Sequence, residues 1–171
     1  MKPLIVLNKN TTCCFSGYRP EKLPWGTMED DPRCEDLKQR IAQAVTKLYN
    51  EDMRHFICGM ARGCDTYFCE TVLELRQTHT DITVEAAIPC EAQAAKWSEP
   101  ERNRYFSLIE QCDAETYVSR RYTRECMIER NKYMVDCSAV LLAVFDGQFG
   151  GTMQTIEYAR RSGLKIVKLE P

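Results

Sequence analysis

The sequence has no apolar run near the roughly 20 residues that a membrane-spanning helix needs, so an integral membrane protein is not expected. Its first residues, MKPLIVLNKN, hold too short an apolar core for a secretory leader. It has no C-x-x-C pair and only two histidines, His55 and His79, in unrelated settings; no metal site is expected. It has no excess of positive charge. The 23 Lys and Arg against 25 Asp and Glu give a net charge of −2, which implies no general affinity for a nucleic-acid backbone. Neither a G-x-G-x-x-G nor a Walker pattern occurs, which excludes the standard dinucleotide fingerprint and the P-loop.

What is present is an ordinary globular composition, 44% hydrophobic and 28% charged, in 171 residues that suit a single domain with one sizeable core. Ten cysteines stand at 13, 14, 34, 58, 64, 69, 90, 112, 126 and 137. Several fall inside apolar runs, where a free thiol behaves as a small hydrophobe. A reduced, cytoplasmic protein is the simplest reading.

The chain is organised around residues 140–155, VLLAVFDGQFGGTMQT. An unbroken apolar run from Ala139 to Phe145 fits a strand covered on both faces. It breaks at Asp146-Gly147-Gln148-Phe149-Gly150-Gly151, and after Thr152 a helical pattern opens with Ile156 and Ala159. Strand, glycine loop and helix start together present bare backbone N–H groups to an anion such as phosphate. A plain tight turn would read the same way.

Elsewhere, short strands are expected at Thr11–Phe15, His55–Cys58, Ile82–Ile88, Glu115–Ser119 and Lys165–Leu169. Helices are expected at Arg33–Asn50, from Asp65 onward, at Glu101–Cys112 and at Thr123–Asp136, from apolar residues at helical spacing. Regular alternation of strand and helix implies a single three-layer α/β/α domain over residues 1–171, Rossmann-like, with a mostly parallel sheet. Ligands of such sheets bind at the carboxyl ends of the strands.

Three expected strands run directly into glycine loops: Ser16-Gly17-Tyr18-Arg19-Pro20, Gly59-Met60-Ala61-Arg62-Gly63, and the loop ending at Gly150-Gly151-Thr152. All three must lie at one edge of a parallel sheet, where together they make a candidate nucleotide pocket. Arg19 and Arg62 are either bidentate phosphate partners or solvated surface arginines. Asp65 is either a helix cap or a ribose hydrogen-bond acceptor. Trp25 and Trp97 either stack on a base or pack locally. Glu70 is read as outward-facing. The basic stretch from Ser119 to Arg130 includes Arg120, Arg121 and Arg124.

The segments CCFSGYRPEKLPWG, FICGMARGCDTYFCETVLELR and CMIERNKYMVDCSAVLLAVFDGQFGGTMQTIEYA resemble the YpsA-like branch of the SLOG superfamily. That superfamily joins the DNA-processing protein A and the Lonely Guy nucleotide hydrolases. The likeness runs from about Thr11 to Leu169. It implies a Rossmann-like fold that binds a nucleotide or nucleotide-derived small molecule. Gly59, Ala61, Gly63 and Asp65 are similar to the S-G-x-A-x-G-x-D segment of the DNA-processing protein. Met127, Glu129, Arg130 and Met134 are similar to the Lonely Guy helix that supplies a catalytic arginine, which places that role on Arg130. Gly151-Thr152 is similar to the end of P-G-G-x-G-T-x-E-E.

Where those hydrolases carry two glutamates, this chain has Gln154 and Thr155. Cleaving an N-glycosidic bond calls on carboxylates to stabilise an oxocarbenium-like transition state, and a neutral amide cannot supply that charge. The first expectation is therefore a non-catalytic nucleotide-binding sensor or regulatory module with no resident cofactor. The alternatives are a phosphoribohydrolase acting on a nucleoside monophosphate and a single-stranded DNA-binding protein. The acidic balance disfavours nucleic acid; the patch from Arg120 to Arg130 favours it. The resemblance also permits a protein partner in cell division or stress response, and a homo-oligomer.

Overall fold

The computed structural model of the protein describes residues 5–171. The first four residues of the expected domain, which belong also to the N-terminal stretch weighed as a leader, lie outside them. Six strands alternate with five helices: β1 (Thr12–Ser16), α1 (Pro32–Asn50), β2 (His55–Cys58), α2 (Cys64–Arg76), β3 (Thr83–Ile88), α3 (Glu99–Gln111), β4 (Ala114–Tyr117), α4 (Cys126–Asp136), β5 (Val140–Val144), α5 (Gly151–Arg161) and β6 (Lys165–Leu169). The sheet order is β4-β3-β2-β1-β5-β6 and every pairing is parallel. The expected mostly parallel sheet is thus parallel throughout.

The period-two alternation of side chains divides the core into two layers. Cys13 and Phe15 of β1 join the larger cluster with Leu37, Ile41 and Val45 of α1 and Phe68 and Val72 of α2. Cys14 points the other way, into the layer made by Met134 and Val135 of α4 and Ile156 and Ala159 of α5. The rings of Phe15 and Phe68 stack with centroids 4.5 Å apart. β5 is buried along its whole length, as its unbroken apolar run requires.

Helix starts follow local chemistry. Asp31 caps α1 by accepting from the Arg33 N–H at 2.9 Å, with Pro32 in the first turn. Ser98 and Glu101 form a capping box on α3, so the helix starts at Glu99 rather than at Glu101. α4 starts at Cys126, three residues later than its apolar spacing predicts. Buried on β3, Glu85 accepts from Tyr133 of α4 at 2.6 Å and from Thr116 of β4 at 2.7 Å. It also lies 2.8 Å from Nε2 of His55 on β2. This polar cluster ties α4 to three strands.

The chain adds strands on one side of β1 as far as β4, then returns to place β5 on the other side. β1 and β5 therefore flank the topological switch point, and the crevice outside their carboxyl ends is where an α/β sheet takes a ligand.

Candidate functional site

The loop after β1 is fastened to the loop that opens α2. Gly17 packs so closely on α2 that a Cβ there would lie 2.6 Å from that of Cys64. The Cys64 N–H donates to the Tyr18 carbonyl at 3.1 Å. Gly63, at φ +83°, passes under the same carbonyl, and a Cβ would come within 2.7 Å of it. Only glycine meets both demands. The loop after β1 is tied equally to the loop after β5. Tyr18 donates its phenol proton to Asp146 Oδ1 at 2.6 Å, and its oxygen accepts from the Gln148 N–H at 3.2 Å. Burial, then the bond to Asp146, raises the Tyr18 phenol above its ordinary pKa. The same bond holds the Asp146 carboxyl below its usual value.

These ties border an open cavity of about 460 Å³. Its wall includes Ser16 at the end of β1, Gly17, Tyr18, Arg19 and Lys22 after it, and Gly150, Gly151 and Thr152 at the start of α5. Glu21, Ala61, Asp65, Arg130 and Asn131 also line it. α5 opens here without a side-chain cap and with no acidic residue in its first turn. Its first backbone N–H groups have no partners within the helix, and they carry the positive end of the helix dipole.

On the same wall stands Arg130, on the second turn of α4 and 4% exposed. Its Nη1 donates to the Gly59 and Ala87 carbonyls, and its Nε to Asn131 Oδ1 at 2.9 Å. Among the described residues, Nη2 has only the weak acceptor Met127 Sδ, 3.9 Å away. Asp65, 5% exposed, accepts from the Ala61 N–H at 3.0 Å. Burial pushes its carboxyl up to about 6, against the downward pull of Arg130. Burial likewise draws Arg130 below its ordinary value, with Asp65 acting to restore it. A buried guanidinium with a free edge, beside uncapped amides, is suited to hold an anion.

Of the residues singled out from sequence, Ser16, Gly17, Arg19, Ala61, Asp65, Arg130, Gly150, Gly151 and Thr152 meet on this wall. Gly59 and Gly63 lie behind it, one against Arg130 and the other under Tyr18. Arg62 turns away from the cavity. It pairs with Glu21 and Glu101 and stands 5.9 Å over the Trp97 ring. With Trp97 it lines a second, smaller cavity of about 150 Å³. Trp25 is buried in the core and donates to the Tyr67 hydroxyl at 3.3 Å, so it packs locally. Glu70 pairs with Arg104 at 2.7 Å. Gln154 and Thr155 are off the cavity wall. Gln154 faces the groove between α4 and α5, and Thr155 donates back to the Gly151 carbonyl at 2.9 Å. Tyr18, Lys22 and Asn131 carried no sequence signal of their own. Only the position of Tyr18 and Lys22 beside the first glycine loop, and of Asn131 beside Arg130, hints at them.

Among the described residues there is no cluster of three or more His, Cys, Asp or Glu able to hold a metal ion. Nor is any helix there long and apolar enough to cross a membrane.

The SPbeta prophage-derived protein YoqJ of Bacillus subtilis (strain 168) is 26% identical over 156 residues, covering 82% of this chain and 91% of that protein. The UPF0398 protein YpsA of the same strain is 24% identical over 141 residues, covering 81% of this chain and 77% of that one. Among solved structures, the chain is similar to DNA processing protein A from Helicobacter pylori, a structure that concerns single-stranded DNA binding. The TM-score is 0.62 at 15% identity, and the likeness covers 94% of this chain but only 65% of that one. At that identity it is the fold that is shared. The model of YpsA, the YspA SLOG family, matches residues 13–164, and the chain belongs to this family.

Proposed function

We propose that the cavity at the β1–β5 switch point binds the phosphate of a nucleotide or nucleotide-derived small molecule, and that the protein serves in the cytoplasm as a non-catalytic sensor or regulatory module. The observation that carries this reading is that the uncapped start of α5 and the buried Arg130 line one cavity. Its volume of about 460 Å³ falls in the range of small-molecule sites.

Binding without turnover is favoured by the carboxylates. The wall carries two, Asp65 and Glu21. Asp65 is held by the Ala61 N–H, and Glu21 is paired with Arg62. Neither Gln154 nor Thr155 supplies a charge, and neither reaches the wall. Both carboxylates are thus already engaged, which disfavours the pair that glycosidic cleavage uses.

A second reading, single-stranded nucleic acid, rests on the exposed rings of Phe149 and Tyr122. Phe149 precedes the start of α5, and Tyr122 stands among the exposed Arg120, Arg121 and Arg124, all on loops that follow strands of the parallel sheet. Aromatic side chains interleaved with cations suit stacked bases.

Native mass spectrometry of the purified protein and calorimetric titration with nucleoside mono- and diphosphates test the first reading. A co-purified nucleotide, or saturable binding without release of free base, supports it. Absence of both, with tight binding of a short oligonucleotide, favours the second.

A further inference from the structure

Lys22 stands on the cavity wall beside the start of α5. Its Nζ donates to the Phe149 carbonyl at 2.7 Å, immediately before α5, and lies 5.3 Å from the Tyr18 ring centroid. Gly150, at φ +151°, leaves it room: a Cβ at that position would collide with the ammonium. Among the described residues Lys22 pairs with no carboxylate. An ammonium at a helix N-terminus is repelled by the dipole, and here neither a cap nor a first-turn acid relieves it. The same cavity holds Arg130, more than nine-tenths buried, whose Nη2 lacks a strong acceptor. Two cations from different parts of the chain therefore share the cavity with the α5 amides, while the two carboxylates on the wall are engaged elsewhere, Asp65 by the Ala61 N–H beside Arg130 and Glu21 by Arg62. The remaining cavity arginine, Arg19, is exposed and pairs with no carboxylate among the described residues.

We propose that Lys22 is a cation of the anion subsite and that, with Arg130, it makes this subsite selective for a dianionic phosphomonoester over a monoanionic phosphodiester. The inference rests on the phosphate reading of the cavity and narrows its ligand class to one with a terminal phosphate. A phosphomonoester carries close to two charges above its second pKa of about 6. It presents three acceptor oxygens, enough for Lys22, Nη2 of Arg130 and the α5 amides together. A second ester bond removes one charge and blocks one oxygen. Lys22 then keeps the Phe149 carbonyl as its partner in place of the ligand.

Phosphorus NMR titrations at pH 8 test this with methyl phosphate and dimethyl phosphate as probes, on the parent protein, Lys22→Gln and Lys22→Arg. The parent is expected to bind methyl phosphate at least about tenfold more tightly than dimethyl phosphate, the scale of one charge-assisted hydrogen bond. Lys22→Gln should lose about tenfold on methyl phosphate and little on dimethyl phosphate, so the ratio narrows. Lys22→Arg should restore the ratio. Equal binding of the two probes by the parent, or an unchanged ratio in folded Lys22→Gln, overturns the proposal while leaving the phosphate site standing. Failure of the parent to bind methyl phosphate overturns the phosphate reading, and this inference with it.

Discussion

Gly59 is the spacer on which Arg130 rests: a Cβ at position 59 would lie 2.7 Å from Arg130 Nη1 and 3.1 Å from Asp65 Oδ2. The Gly59 carbonyl also accepts from Arg130 and, at 3.1 Å, from Gln93 Nε2. Gly59→Ala should therefore displace the guanidinium. Overpacking of this kind costs about 1–3 kcal/mol. Stability and anion affinity should fall together, as measured by urea denaturation and calorimetric titration of the same preparation. A variant with unchanged stability and affinity would show that the contact is not tight.

Arg130 holds the fold as well as the cavity. Arg130→Ala leaves Asp65 buried without its cation and removes a donor from the Gly59 and Ala87 carbonyls. The expected loss is about 1–3 kcal/mol, the cost of leaving buried polar groups without their partner. Adding Asp65→Asn to Arg130→Ala should recover part of it, because no uncompensated charge remains. A double-mutant cycle by chemical denaturation measures the coupling, and strict additivity would rule it out.

Glu85 gives the protein an acid-sensitive clasp. Burial pushes its carboxyl up, but bonds from His55, Tyr133 and Thr116 together hold it below its ordinary value. A carboxyl depressed in the folded state stabilises the fold above its unfolded pKa of about 4.3. That stability is lost as pH falls through the lower folded value. Denaturation between neutral and acid pH should show Glu85→Gln less stable at pH 7, with a shallower acid limb than the parent. Parallel acid limbs would exclude Glu85 as a source of the dependence.

All ten cysteines are free thiols, nine of them buried and Cys137 half-buried. Thiol titration under denaturing, non-reducing conditions should count ten, and the folded protein should react slowly at nearly all of them. A denatured count lower by two in anaerobically purified protein would reveal a disulfide.

The strands were legible because their signal is local. The run from Ala139 to Phe145 and the short apolar runs ending at Phe15 and Cys58 each sit where a strand forms. Helix starts were less legible. The start expected at Glu101 came two residues late, because the Ser98 cap opens α3 at Glu99 and places Pro100 in its first turn. α4 has no side-chain cap to mark its start, so the expected helix over Thr123–Asp136 ran too far forward. Site residues were legible only as far as their loops. The three glycine loops do meet at one edge, but the chain bends Arg62 outward to Glu21 and Glu101. Lys22 is brought to α5 by a carbonyl 127 residues away, a relationship without local periodicity or spacing.

In the proposed site, backbone N–H groups at the start of α5 receive a phosphate. Gly151 gives the cleanest test, because a Cβ there meets nothing within 4 Å and no positive φ forbids a side chain. Gly151→Val should fold with an unchanged melting temperature while its branched side chain fills the phosphate's place on the cavity wall. The anion would lose several charge-assisted hydrogen bonds, each contributing about 1.5–3 kcal/mol. Calorimetric titration of the parent and Gly151→Val, with the nucleotide that the parent binds most tightly and a thermal melt beside it, is the deciding measurement. Loss of binding at intact stability is expected; full affinity in the folded variant would show that the α5 amides do not receive the phosphate.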